Sequence, residues 1–154
     1  MEQRPAVAEA LECCRFYRQG CGLPAGVHPE VGRIVVQAGL VWAMTMPAAL
    51  GQFVKTDMQR RNQELGPIIS HPRSQRWTYL VRPDLPDDMA LFAELFRCNV
   101  SVVRRGGEIA LPSPADHQTG FRRWVQSPQG TFRPSGLVVL TSVRSGTRHG
   151  LAHI

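Results

Sequence analysis

The sequence predicts an α+β fold, a mostly antiparallel sheet backed by helices. Strand-like apolar segments come in pairs, amphipathic helical stretches separate those pairs, and the strand-helix-strand alternation of a parallel sheet is missing. At 154 residues with 43% apolar content, the chain has the size and composition of one globular domain. It divides into an N-terminal helix (1–22), an α+β core (33–144) and a tail (145–154) expected to fray.

Residues 5–19 read as a helix with Val7, Leu11, Cys14 and Arg18 on one stripe, closed by Gly20 and Gly22. A Gly/Pro linker spans 20–32. Arg33–Gln37 and Leu40–Met46 then read as a hairpin around a tight Ala-Gly turn. Thr45 is expected to cap a helix that has Pro47 in its first turn and ends near Arg60–Asn62. Pro67–His71 and Arg76–Arg82 form the next predicted hairpin. Asp84 and Pro86 open a third helix, with Asp87 and Asp88 at the positive end of its dipole. Asn99–Val103 and Glu108–Leu111 flank the Gly106-Gly107 turn as a third hairpin. Phe121–Val125 is expected to join the sheet. The apolar run Leu137–Val143 completes the pattern as a further strand edge.

No apolar run approaches the roughly 20 residues that span a bilayer, and the first residues lack the apolar core of a secretory signal. The expectation is a cytoplasmic, soluble protein without membrane contact. Cys13, Cys14 and Cys21 lie close together with His28 nearby, but their spacing fits no zinc framework, so they read as reduced thiols. A redox or metal role stays as the alternative. No phosphate-binding Walker loop, dinucleotide fingerprint or nucleophile elbow occurs.

The net charge is +6, carried by seventeen arginines and one lysine, Lys55. A GC-rich coding bias and a phosphate-binding role both favour arginine. The distribution favours the second. Beyond Asp116 no acidic residue occurs, yet Arg122, Arg123, Arg133, Arg144 and Arg148 follow. Arg60, Arg61, Arg73, Arg76 and Arg82 form another group. Clustered arginine argues for a basic face and an anionic partner.

Two segments carry a more specific signal. One is His71-Pro72-Arg73-Ser74-Gln75-Arg76-Trp77-Thr78-Tyr79-Leu80. The other runs from Asn99 through Gly106-Gly107 and Pro112-Ser113-Pro114, then continues as Thr119-Gly120-Phe121-Arg122-Arg123-Trp124. Together they resemble the bifunctional primase-polymerase family of the archaeo-eukaryotic primase superfamily. Pro72, Arg76 and Tyr79 match a motif like T-P-S-G-G-R-H-L-Y-F. Gly106, Gly107, Pro112 and Trp124 keep step with the motif that follows it in that family. The resemblance covers roughly residues 66–125, about 40% of the chain.

The resemblance implies a primase-polymerase-like core that has lost its chemistry. Such enzymes hold two metal ions on carboxylates. The family's early D-x-D or D-x-E motif does not occur before residue 66, Trp77 stands where its histidine would, and Ser101 replaces its later aspartate. A hydroxyl does not replace a carboxylate at a Mg²⁺ site, and an indole cannot ligate a metal. No catalytic residue, metal or cofactor is therefore expected.

The expected function is a non-catalytic nucleic-acid or nucleotide-binding module, with single strands favoured. Its candidate contact residues are Arg73, Arg76, Trp77, Arg104, Arg105, Arg122, Arg123 and Trp124. Arginines would grip phosphate, and tryptophans would stack bases. Trp77 could equally be a core aromatic, and Arg73 and Arg76 plain solvated residues of a hairpin. Strand alternation would put Arg122 and Trp124 on one face and Arg123 with Phe121 on the other. His71 and His117 read as loop residues. The alternatives are a protein-interaction module or homo-oligomer joined through the Leu40–Met46 and Leu137–Val143 edges, and a nucleotidyltransferase using Asp84, Asp87, Asp88 or Asp116.

Overall fold

The structure, a computed structural model, describes residues 3–28 and 32–151. In chain order the elements are α1 (Gln3–Cys21), β1 (Ala25–Val27), β2 (Ile34–Gln37), β3 (Trp42–Pro47), α2 (Ala48–Arg60), β4 (Ile68–His71) and β5 (Arg76–Val81). They continue with α3 (Met89–Arg97), β6 (Ser101–Val103), β7 (Glu108–Leu111), α4 (Asp116–Thr119), β8 (Arg123–Gln126) and α5 (Gly136–Arg148). The fold is α+β, and all named pairings are antiparallel.

The strands form two sheets. Five of them are ordered β6-β3-β5-β4-β8, and three are ordered β1-β2-β7. Consecutive residues of the larger sheet enter different cores. Met44, Ile68 and Tyr79 pack with Leu50, Val54, Leu95, Val139 and Val143 from α2, α3 and α5. Their neighbours Ala43, Ile69 and Leu80 pack with Ile34, Val36, Ile109 and Leu111 of the smaller sheet and with Cys14 and Tyr17 of α1. The large sheet is thus covered on both faces, which is why its central strands read as unbroken apolar runs rather than alternating ones.

This arrangement corrects several expectations. Arg33–Gln37 and Leu40–Met46 are not a hairpin: β2 pairs with β1 and β7, while β3 pairs with β5 and β6. The chain crosses between sheets at Ala38–Val41. The Gly106-Gly107 turn makes the same crossing, sending β6 to β3 and β7 to β2. Leu137–Val143 is helical. Ser135 caps it by accepting from the Leu137 N–H at 3.1 Å, and Val139, Leu140 and Val143 form its buried stripe. The helix continues to Arg148, so the first four residues of the tail expected to fray are helical; residues 152–154 lie outside the described residues. Neither Leu40–Met46 nor Leu137–Val143 is a sheet edge. Edge-to-edge strand pairing is therefore not open to these two segments, because one is a central strand and the other a helix.

Helix α1 belongs to the core, but its buried stripe is Ala10, Cys14, Tyr17 and Cys21. Leu11, expected inside, is exposed. Thr45 does not cap α2; it lies within β3 and its Oγ1 is 3.2 Å from Thr78 Oγ1. Asp88, not Asp84, caps α3 by accepting from the Ala90 N–H. Asp84 instead accepts from the Gly136 N–H at 2.7 Å, at the start of α5. Two glycines set the helix layer. A Cβ on Gly51 would lie 2.8 Å from Trp77 Cβ, and one on Gly146 would lie 2.5 Å from Leu50 Cδ1. Their bare backbones let α2 approach β5 and α5 closely. Among the described residues, no helix is long and apolar enough to cross a membrane.

Candidate nucleic-acid interface

The β4–β5 hairpin brings His71 and Arg76 into register as direct neighbours. Gln75 closes the connecting turn with a φ of 55°, in the left-handed region. His71 is therefore the last residue of a strand, not a loop residue, and its Nε2 lies 2.8 Å from Thr78 Oγ1. Arg76 Nη2 donates to the carbonyls of Thr45 at 2.9 Å and Asn99 at 3.0 Å, and its Nη1 donates to Asn99 Oδ1 at 3.2 Å. These bonds hold the guanidinium on the sheet face that looks away from α2. A cavity of about 260 Å³ opens there, lined by Thr45, His71, Arg76, Thr78 and, from β7, Glu108 and Ile109.

A second cluster adjoins this one. Asp116, buried at the start of α4, accepts from the Ser113 N–H at 2.8 Å and Ser113 Oγ at 3.3 Å, and faces Arg122 Nη1 at 3.5 Å. Arg122 Nε is buried without a hydrogen-bond partner. Trp124 donates from Nε1 to Tyr17 Oη at 3.0 Å, and Tyr17 in turn donates to the Pro112 carbonyl at 2.7 Å. The Tyr17 and Trp124 rings meet edge to face, 5.8 Å apart. Burial pushes the Tyr17 phenol well above its ordinary pKa, so it stays protonated and keeps donating.

Around this cluster lies a cavity of about 570 Å³, walled by Tyr17, Trp124 and the prolines 72, 112 and 114, with Arg122 and Arg123 among its charged groups. Arg122, Arg123 and Trp124 all border it. Arg122 precedes β8; within β8 the bulge lies beyond Trp124, so alternation still separates Trp124, opposite Ile69, from Arg123, opposite Ser70.

His71 links the two clusters electrostatically. Its imidazole pKa is lowered, first by burial, then by the positive charges of Arg122 and Arg76; Asp116 opposes them weakly. A neutral imidazole flanked by two fixed cations is a site short of negative charge. Arg73, on the turn beside His71, lies 4.1 Å over the Phe121 ring and donates to the Thr119 carbonyl at 3.0 Å. It ties the hairpin turn to the segment that leads into β8.

The structure brings three of the eight candidate residues, Arg122, Arg123 and Trp124, to one cavity; Arg76 lines the smaller cavity beside His71, and Arg73 packs on Phe121. The other three lie elsewhere. Trp77 is on the opposite face of the sheet, packed under Gly51 of α2. Arg104 follows β6, the far edge strand, where it faces Asp87 Oδ1 at 3.4 Å and covers the Phe92 ring. Arg105 borders that surface with Trp42 and with Glu108, which reaches from it to the cavity beside Arg76. Tyr17 and His71, neither of which was a candidate, prove central. Only contacts across the fold reveal them, since they stand 54 residues apart and in different elements.

The four acids considered for catalysis are dispersed. Asp84 and Asp88 serve different helix starts, Asp87 faces Arg104, and Asp116 holds Ser113 and Arg122. Among the described residues, no group of three or more His, Cys, Asp or Glu side chains is placed to hold a metal ion. Cys13, Cys14, Cys21 and Cys98 are free thiols, and burial raises the pKa of Cys13 and Cys21. Comparison with family models, with curated proteins and with solved structures finds no match to this chain.

Proposed function

We propose that this chain binds single-stranded nucleic acid without acting on it, gripping phosphates with the arginines around His71. The observation that carries the reading is the cavity bordered by Arg122, Arg123 and the Trp124 ring, with Arg76 in register beside His71 on the adjoining hairpin. Arginine presents a planar fork that fits phosphate oxygens in pairs, and a basic surface next to aromatic walls suits an unpaired strand. The resemblance of residues 66–125 to a primase-polymerase core supports the same ligand class. The missing acids at that core's metal positions support binding over catalysis.

In this reading Trp77, Arg104 and Arg105 play no direct part in the grip. Trp77 serves the helix-side core, and the other two sit at the far sheet edge. Titration of labelled single-stranded DNA and RNA at two salt concentrations tests the proposal. Binding that weakens steeply with salt supports it, and an absence of binding at low salt rejects it.

A further inference from the structure

We infer that the 570 Å³ cavity beside Trp124 is a receptor for one nucleotide unit: a single flat base carrying one phosphate. This rests on the strand-binding reading and sharpens it, because it assigns a discrete pocket where that reading requires only a charged surface.

Size comes first. Small-ligand sites commonly enclose about 300–1,000 Å³ and combine apolar walls with a few convergent polar groups. This cavity has that composition. The hydrogen-bonding atoms of Tyr17 and Trp124 are already committed to each other and to the Pro112 carbonyl. What these two residues and the three prolines offer a ligand is therefore carbon surface and ring surface. An aliphatic chain would fit such walls as well as a base does, so the walls alone do not choose.

Charge makes the choice. Arg122 and Arg123 both border the cavity, and Asp116 is its one carboxylate among the described residues. Asp116 is already occupied by the Ser113 amide, the Ser113 hydroxyl and Arg122. Its distance of 3.5 Å from Arg122 Nη1 leaves that pair long, and the buried Arg122 Nε has no partner. Among the described residues the Arg123 side chain forms no hydrogen bond or ion pair, so its guanidinium is uncommitted. A buried donor without a partner costs roughly 1–3 kcal/mol, a cost that a ligand oxygen relieves. The cavity thus asks for an anion at one end and a flat apolar body at the other. A base with one phosphate satisfies both, whether as a free mononucleotide or as the phosphorylated end of a strand.

Calorimetric titration of the full chain with adenosine 5′-monophosphate, adenosine and inorganic phosphate tests this, alongside single strands with and without a 5′-phosphate. The monophosphate is expected to bind at least about tenfold more tightly than adenosine or phosphate alone, the factor a charged hydrogen bond supplies. Cys13→Phe, which fills the cavity from α1, and Arg123→Gln, on an exposed side chain, should each weaken it about tenfold or more. Preference for the 5′-phosphorylated strand assigns the pocket to strand ends; equal binding of both strands assigns it to the free mononucleotide. Monophosphate binding no tighter than that of phosphate, or unchanged in both variants, overturns the inference. If salt-sensitive strand binding persists in that case, only the pocket falls. If the monophosphate binds but no strand does, the pocket stands and the strand reading falls.

Discussion

His71 Nε2 lies 2.8 Å from Thr78 Oγ1, on the sheet face where Arg76 and Arg122 both bring positive charge to bear on the imidazole. Burial and two cations together favour the neutral ring. The fold therefore carries a histidine that resists protonation at the place where an anion is expected.

That placement predicts a pH dependence of stability. The pKa of His71 is lower in the folded chain than the ordinary value of 6.5. As pH falls through that value, the unfolded chain takes up a proton that the folded one refuses, so stability drops with falling pH. His71→Gln, which keeps a partner for Thr78, should flatten the decline below the ordinary imidazole range. Thermal melts of both proteins at half-unit steps from pH 7.5 to 5 check this, and parallel curves would refute it.

Tyr17 is predicted to be a structural hinge of the site. Tyr17→Phe removes the acceptor of Trp124 Nε1 and the donor to the Pro112 carbonyl, leaving two polar groups without partners. The expected cost is about 1–3 kcal/mol, read from urea unfolding midpoints. A shift in Trp124 fluorescence should accompany it.

Gly51→Ala should act against the usual rule. Alanine in a helix interior normally stabilises relative to glycine by roughly 0.5–1 kcal/mol. Here the new methyl would lie 2.8 Å from Trp77 Cβ and 2.9 Å from its Cε3. Separating α2 from β5 would also strain the bond from Tyr79 Oη to the Gly51 carbonyl, 2.6 Å long. Overpacking of this kind costs about 1–3 kcal/mol, so denaturant unfolding should show net destabilisation.

Much of the fold could be read from local pattern. The α2 and α3 helices, the β4–β5 hairpin and the Glu108–Leu111 strand follow from periodicity and turn chemistry. Partner choice could not. Gly39 and Gly106-Gly107 looked like tight turns, yet each passes the chain from one sheet to the other, because side-chain alternation says nothing of which strand lies alongside. Leu137–Val143 is rich in β-branched residues, but Ser135 caps it and Gly136 and Gly146 let it lie against its neighbours, so tertiary packing overrides propensity. At the site, the Arg-Arg-Trp triplet pointed to three residues that border one cavity, whereas Arg76 lines another. Trp77 had two readings, a stacking surface or a core aromatic, and the structure packs it against Gly51 of α2 as the second. Tyr17 was missed because nothing in α1 alone shows that it meets Trp124.

The most direct test of the account is the salt dependence of single-strand affinity in the wild-type chain and in the Arg122→Gln, Arg123→Gln double variant, read by fluorescence anisotropy across several salt concentrations. The account predicts linear plots of log affinity against log salt, with the variant's slope shallower by about 0.7 for each phosphate that the protein no longer neutralises. Superimposable slopes for the two proteins, or a wild-type affinity indifferent to salt, would contradict it.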